Sequence, residues 1–164
     1  MIDSVLVIGY GNSLRTDDGL GWHAAERLAA DPRLAGTTVI ARHQLTPELA
    51  LDVSRAALVV FVDASHGPAA GTFTIEWLQA PASIATGWSH ILSPSSLVDL
   101  ARELYGQVPD VAVIRVGVES LGFGDQLSAA AEVSLPGLID AVAELIADHA
   151  ERHATRTVAV DRRA

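Results

Sequence analysis

Three side chains in this sequence could share one divalent cation: Asp18, Asp63 and His90. Each follows an apolar run. Asp18 lies in "GYGNSLRTDDGLG" (9–21), directly after "SVLVI"; Asp63 closes "ALVVFVDA"; His90 stands in "GWSHILSP", just before a helix start. Two carboxylates and an imidazole form an open nitrogen–oxygen ligand set that suits Ni²⁺, Zn²⁺ or Cd²⁺ and leaves positions for water or substrate. Without a cation, two carboxylates in one crevice repel, and one tends to hold a proton. Each residue also has a local reading: Asp18 as a helix N-cap, Asp63 in an Asx-turn, His90 in a loop hydrogen bond.

The other candidates read differently. His23 falls in a helical pattern. His66 follows Asp63 in a loop and reads as a local group, with a supporting or substrate-facing role as the alternative. His149 and His153 are one helical turn apart, a spacing that can hold metal, but they read as a solvated face near the C-terminus. A dinucleotide fingerprint asks for Gly-x-Gly-x-x-Gly. Gly9 and Gly11 supply the first two, but the third position is Leu14, so the close helix–strand approach is expected to fail. Asp17 and Asp18 would also oppose a pyrophosphate at the helix N-terminus. No Gly-x-Ser-x-Gly elbow occurs for a serine hydrolase.

The elements that must position these residues alternate. Strands are expected at Val5–Ile8, Thr37–His43, Ala57–Ala64, Gly71–Leu78 and 110–120. Helices are expected from about Gly19 to Ala30, after Thr46-Pro47, from Ser93-Pro94 to Gly106, and after Ser128 with a restart at Pro136. The order β-α-β-α-β-β-α-β-α implies one three-layer α/β domain over 1–153 with a mostly parallel sheet; 154–164 reads as a flexible tail. In such sheets the functional crevice lies beyond the carboxyl ends of the strands, where strand order reverses. Asp18, Asp63 and His90 are therefore expected to meet there.

Composition narrows the chemistry. The chain has 164 residues, 49 % of them hydrophobic, with mean hydropathy +0.30, which fits a globular domain with a sizeable core. A formal net charge of −9 disfavours nucleic acid. Cysteine is absent, so disulfides, thiolate nucleophiles and Cys-ligated metals are excluded. Lysine is absent too, which removes the P-loop lysine, Schiff-base chemistry and a Ser-Lys dyad. No signal peptide or membrane span is evident, and a cytoplasmic protein is expected.

Taken together, four blocks carry a resemblance. "GYGNSLRTDDGLG" resembles the opening signature of the NiFe hydrogenase maturation endopeptidases, which process the hydrogenase large subunit. "VVFVDAS" with "GPAAGT" resembles their second acidic site, "SHILSPSSLVDLARELYG" their histidine segment, and "DQLSAAAEVSLPGLIDAV" their C-terminal helix entry. The blocks appear in family order across nearly the whole chain.

The resemblance implies a three-layer α/β/α sandwich around a twisted five-stranded sheet with one antiparallel strand. It also implies an endopeptidase that removes the C-terminal extension of a hydrogenase large-subunit precursor after nickel insertion. Asp18, Asp63 and His90 match the family's three metal-contacting positions and are the expected catalytic and nickel-contacting residues. The nickel is expected to arrive with the substrate, the free enzyme being metal-free and monomeric, while Asp17 caps or orients the loop. The alternative is a non-catalytic nickel-binding assembly factor on the same fold. One departure is the loop His43-Gln44-Leu45-Thr46, where many relatives carry a Gly-Thr-rich segment.

Overall fold

The computed structural model describes residues 4–79 and 92–161, with side chains as far as residue 154. Five strands form where β-branched runs meet turn residues: β1 (Val5–Tyr10), β2 (Thr38–Arg42), β3 (Leu58–Ser65), β4 (Phe73–Trp77) and β5 (Asp110–Gly117). They make one sheet in the order β2-β1-β3-β5-β4. Neighbours are parallel except β4, which runs antiparallel to β5. β4 is the exposed edge strand that its apolar–polar alternation predicts.

Side-chain alternation in the central strands makes the three layers. Val7, Val60, Val62 and Ile114 pack against α1 (Leu20–Ala29) and α4 (Ala129–Asp161) through Leu20, Leu28, Leu135 and Leu138. Ile8, Val59, Phe61 and Val113 face the other way, onto Leu49 and Val53 of α2 (Leu49–Arg55) and Leu97 and Ala101 of α3 (Pro94–Tyr105). The expected fold class is the one found.

Several local expectations hold and several do not. Ser93 caps α3, its Oγ accepting from the Ser96 N–H at 3.2 Å, and Gly106 ends that helix at φ 72°. Ser128 caps α4 in the same way through the Ala131 N–H at 3.2 Å. Asp18, however, does not cap α1: a 3-10 turn, Thr16–Gly19, precedes it, and Gly19 takes the cap position with no side-chain bond. Nor does Thr46 cap α2, because the chain first makes a turn in which the Leu49 N–H donates to the Thr46 carbonyl at 3.1 Å. Pro136 does not restart the last helix but lies inside it. The ring removes only the bond to the Glu132 carbonyl; both residues are exposed, so water can replace it, while Leu135, Leu138 and Val142 keep the helix seated. The backbone of α4 stays helical to Asp161, past the end expected near Ala154.

The close helix–strand approach also exists, by another route. A Cβ on Gly21 would collide with the Tyr10 and Val62 carbonyl oxygens, and one on Gly9 with the Gly21 carbonyl oxygen. Gly21, seven positions beyond Leu14, therefore supplies the missing contact and lets α1 sit directly on β1 and β3.

The β1–α1 loop is fixed by a buried carboxylate. Asp17 has no solvent exposure. Its oxygens accept from the backbone N–H groups of Glu119 (3.1 Å), Ser120 (3.1 Å) and Ser128 (2.7 Å), and from the Ser128 hydroxyl (2.8 Å). Burial opposes its charge, but these donors outweigh burial and hold the carboxyl below its ordinary value of 3.8. A lowered folded-state pKa contributes stability above the unfolded value and loses it as pH falls through the folded one. Asp17→Ala should therefore lower the unfolding free energy by about 3 kcal/mol at pH 7 and by less at pH 3, measured by urea denaturation at both pH values.

Candidate active site

Strand order reverses between β1 and β3, which lie side by side with Gly9 opposite Val62. The loops that leave their carboxyl ends in opposite directions open a crevice there. Tyr10 ends β1, and Asp63 lies near the end of β3, opposite Arg115 of β5. A cavity of about 250 Å³ is lined by Tyr10, Asp63, Ser93 and Arg115, with Leu78 and Leu92 at its side.

Asp63 brings a carboxyl to this cavity. The Tyr10 hydroxyl donates to its Oδ2 at 2.9 Å. Burial raises its pKa, the Tyr10 hydrogen bond and the Arg115 charge lower it, and the Asp18 charge raises it again; the balance is about 6. Asp63 therefore exchanges a proton close to neutral pH. The Tyr10 phenol is pushed up by burial and then by the Asp63 charge, so it stays protonated and remains a donor.

Asp18 enters from the β1–α1 loop, half-buried, with its Oδ2 accepting from the Asn12 N–H at 3.2 Å. The loop that carries it is strained. Thr16 has φ 44°, and its hydroxyl donates to the Ser120 carbonyl at 2.8 Å while its N–H donates to the Gly124 carbonyl at 2.8 Å. With Asp17 anchored on the β5–α4 loop, the next residue, Asp18, is directed to the side where Asp63 senses its charge.

Asp18 and Asp63 thus act on one electrostatic site. His90 lies outside the described residues. His66 is exposed and is not among the residues lining the cavity. His23 is on α1, with Nδ1 3.6 Å from Glu26. The His43 loop is anchored by ring stacking on Trp22, with centroids 4.7 Å apart, and by buried Leu45. His149 and His153 overturn the reading of a solvated face. His149 is buried, and both imidazoles reach Asp110 at the start of β5.

Sequence reasoning missed Tyr10 and Arg115. Arg115 had a signal, as the one charged side chain inside the apolar run "VAVIRVGV". Tyr10 had none, since its partner lies 53 positions away.

No protein-family model and no curated protein matches the chain. Solved structures do. HycI, a NiFe hydrogenase maturation protease from Thermococcus kodakarensis KOD1, is similar at 25 % identity and TM-score 0.67, over 88 % of this chain and 92 % of that one. The hydrogenase maturating endopeptidase HybD from E. coli is similar at 21 % identity and TM-score 0.71, over 89 % and 93 %. This chain has the fold of the hydrogenase maturation endopeptidases. A hydrogenase 2 maturation peptidase from a Thaumarchaeota archaeon, SCGC_AB-539-E09, shares that fold at 23 % identity and TM-score 0.67, over 88 % and 98 %.

The carboxylate pair fits a cation bound from outside, because burial and mutual repulsion already burden Asp63 when it is ionised. The same burden appears in stability. A carboxyl whose folded pKa is raised favours the folded state at low pH and loses that contribution as pH rises through about 6. Asp63→Asn keeps an acceptor for Tyr10 and removes the charge. It should raise the unfolding free energy by roughly 2 kcal/mol at pH 7.5 and leave it nearly unchanged at pH 4, followed by thermal and urea denaturation in metal-free buffer.

Proposed function

We propose that this chain is an endopeptidase that removes the C-terminal extension of a NiFe hydrogenase large-subunit precursor once nickel has been inserted. The observation that carries the reading is Asp63. It lies at the β1–β3 switch point, faces a small cavity, feels the charge of Asp18, and belongs to the fold of known hydrogenase maturation endopeptidases.

The nickel is part of the substrate. Asp18, Asp63 and His90 contact it and so hold the adjacent peptide bond at the cleft. His90 is assigned from the sequence; Leu92, two positions on, lines the Asp63 cavity. Tyr10 fixes the Asp63 carboxylate by donating to one oxygen. With its pKa near 6, Asp63 is mostly ionised at neutral pH, able to ligate a cation or to accept a proton from an attacking water and return it to the leaving amine. Substrate-borne nickel supplies recognition and Lewis acidity toward the scissile carbonyl. The enzyme acts in the cytoplasm on this reading. Among the described residues no helix is long and apolar enough to cross a membrane.

The reading is tested with nickel-loaded and nickel-free precursor, following release of the C-terminal peptide. The loaded precursor should be trimmed and the nickel-free one left intact. Asp18→Asn, Asp63→Asn and His90→Ala should each slow trimming by roughly 100-fold or more with the fold retained. Equal trimming of both precursors would refute recognition through nickel. Binding of the loaded precursor without cleavage would make the chain an assembly factor.

A further inference from the structure

A second group of ligand-capable side chains lies at the other end of the sheet. Asp110 opens β5 opposite Leu58, whereas Asp63 pairs with Arg115, five residues further along β5. The separation along the strand is roughly 16 Å. Across from Asp110, α4 presents His149 and His153 one turn apart. Their Nε2 atoms are 3.0 and 3.4 Å from the same oxygen, Asp110 Oδ2, and one donor atom from each of the three residues falls within 4.8 Å of the others. The two rings are 4.2 Å apart, centroid to centroid.

The geometry points to a divalent transition-metal site at Asp110, His149 and His153, of the class that takes Zn²⁺, Co²⁺ or Ni²⁺. One carboxylate oxygen can accept from both imidazoles only when each ring carries a proton on Nε2. For a cation to bind, each ring must carry its proton on Nδ1 instead, so that both Nε2 lone pairs, together with Asp110 Oδ2, are free to ligate it as neutral imidazoles and a carboxylate. In a tetrahedral site with bonds of about 2.0–2.1 Å, ligand atoms stand about 3.3–3.4 Å apart, near the two Nε2–Oδ2 separations of 3.0 and 3.4 Å. Two neutral imidazoles and one carboxylate favour these metals over Mg²⁺ or Ca²⁺, which prefer all-oxygen shells.

The surroundings support a cation. His149 is only 3 % exposed, so its ring is held in place before any metal arrives. The Asp110 backbone is fixed by its N–H to the Ala57 carbonyl at 2.9 Å. Glu144, Asp148 and Glu151 line the same groove and keep its field negative, while the Arg152 guanidinium lies over the Trp77 ring at 5.5 Å. A bound ion would clamp the C-terminal half of α4 to the start of β5, away from the catalytic crevice.

The test must exclude that crevice. In an Asp18→Asn, Asp63→Asn, His90→Ala background, chelator-stripped full-length protein is titrated with Co²⁺, read by visible absorption, and with Zn²⁺, read by calorimetry and melting temperature. One equivalent should bind, with intense cobalt bands of a four- or five-coordinate site and a melting temperature that rises with Zn²⁺. His149→Ala removes a buried side chain from the helix seat, so the deciding variants are His153→Ala and Asp110→Asn, with the fold checked by circular dichroism. Each should weaken Zn²⁺ binding at least 10-fold. Failure of the background protein to bind one equivalent overturns the proposal, as does unchanged affinity in both variants. Neither result depends on whether the chain cleaves a precursor.

Discussion

The Asp17 carboxylate is the interaction on which the placement of the candidate site depends. A charge with no solvent contact survives only where donors surround it. Here the donors come from 102 to 111 positions away, at the β5–α4 junction. The bonds therefore do two tasks at once. They close the β1–α1 loop over the sheet, and they help fix the start of α4, because Ser128 caps that helix while donating to Asp17. Asp18 inherits its position from this anchor. The two adjacent aspartates, equivalent in type, have opposite roles: one is fully satisfied inside, the other is half-buried and close enough for its charge to act on Asp63.

Around Asp63 the balance is reversed. Its donors are fewer, and Arg115 is partly exposed and 3.6 Å from Glu76, so its charge does not fully offset burial and the field of Asp18. The domain can afford one under-compensated carboxyl because the central strands pack apolar cores against the helices on both sides of the sheet. Such an imbalance is common where a side chain must change its protonation or accept an incoming charge. The glycines serve the same placement: Gly9 and Gly21 bring α1 onto the strands, and Gly11, at φ 145°, turns the chain where a Cβ would strike the Asp18 carbonyl oxygen.

The two ends of β5 now carry different chemistry. At one end Arg115 faces the crevice; at the other Asp110 gathers two histidines from α4. The helix spacing of His149 and His153 was visible in the sequence, but what it faced was not, because Asp110 is 39 and 43 positions upstream. Reading that pair as a solvated face assumed that the chain frayed after it. Instead the helix continues to Asp161, and its inner side buries His149 against Asp110 at the start of β5.

The sequence by itself determined the layers, the parallel sheet and the strand ends at which to look for chemistry. Hydrophobic periodicity and cap residues such as Ser93 and Ser128 are local signals, and local signals decide local structure. The tertiary structure alone decided which aspartate of the pair is buried, that Tyr10 holds Asp63, that Gly21 and not Leu14 occupies the helix–strand contact, and that Pro136 lies within one continuous helix. Each of these turns on partners distant in the chain or on the balance between burial and hydrogen bonding. That balance exists only once the sheet has assembled and removed water from the groups concerned.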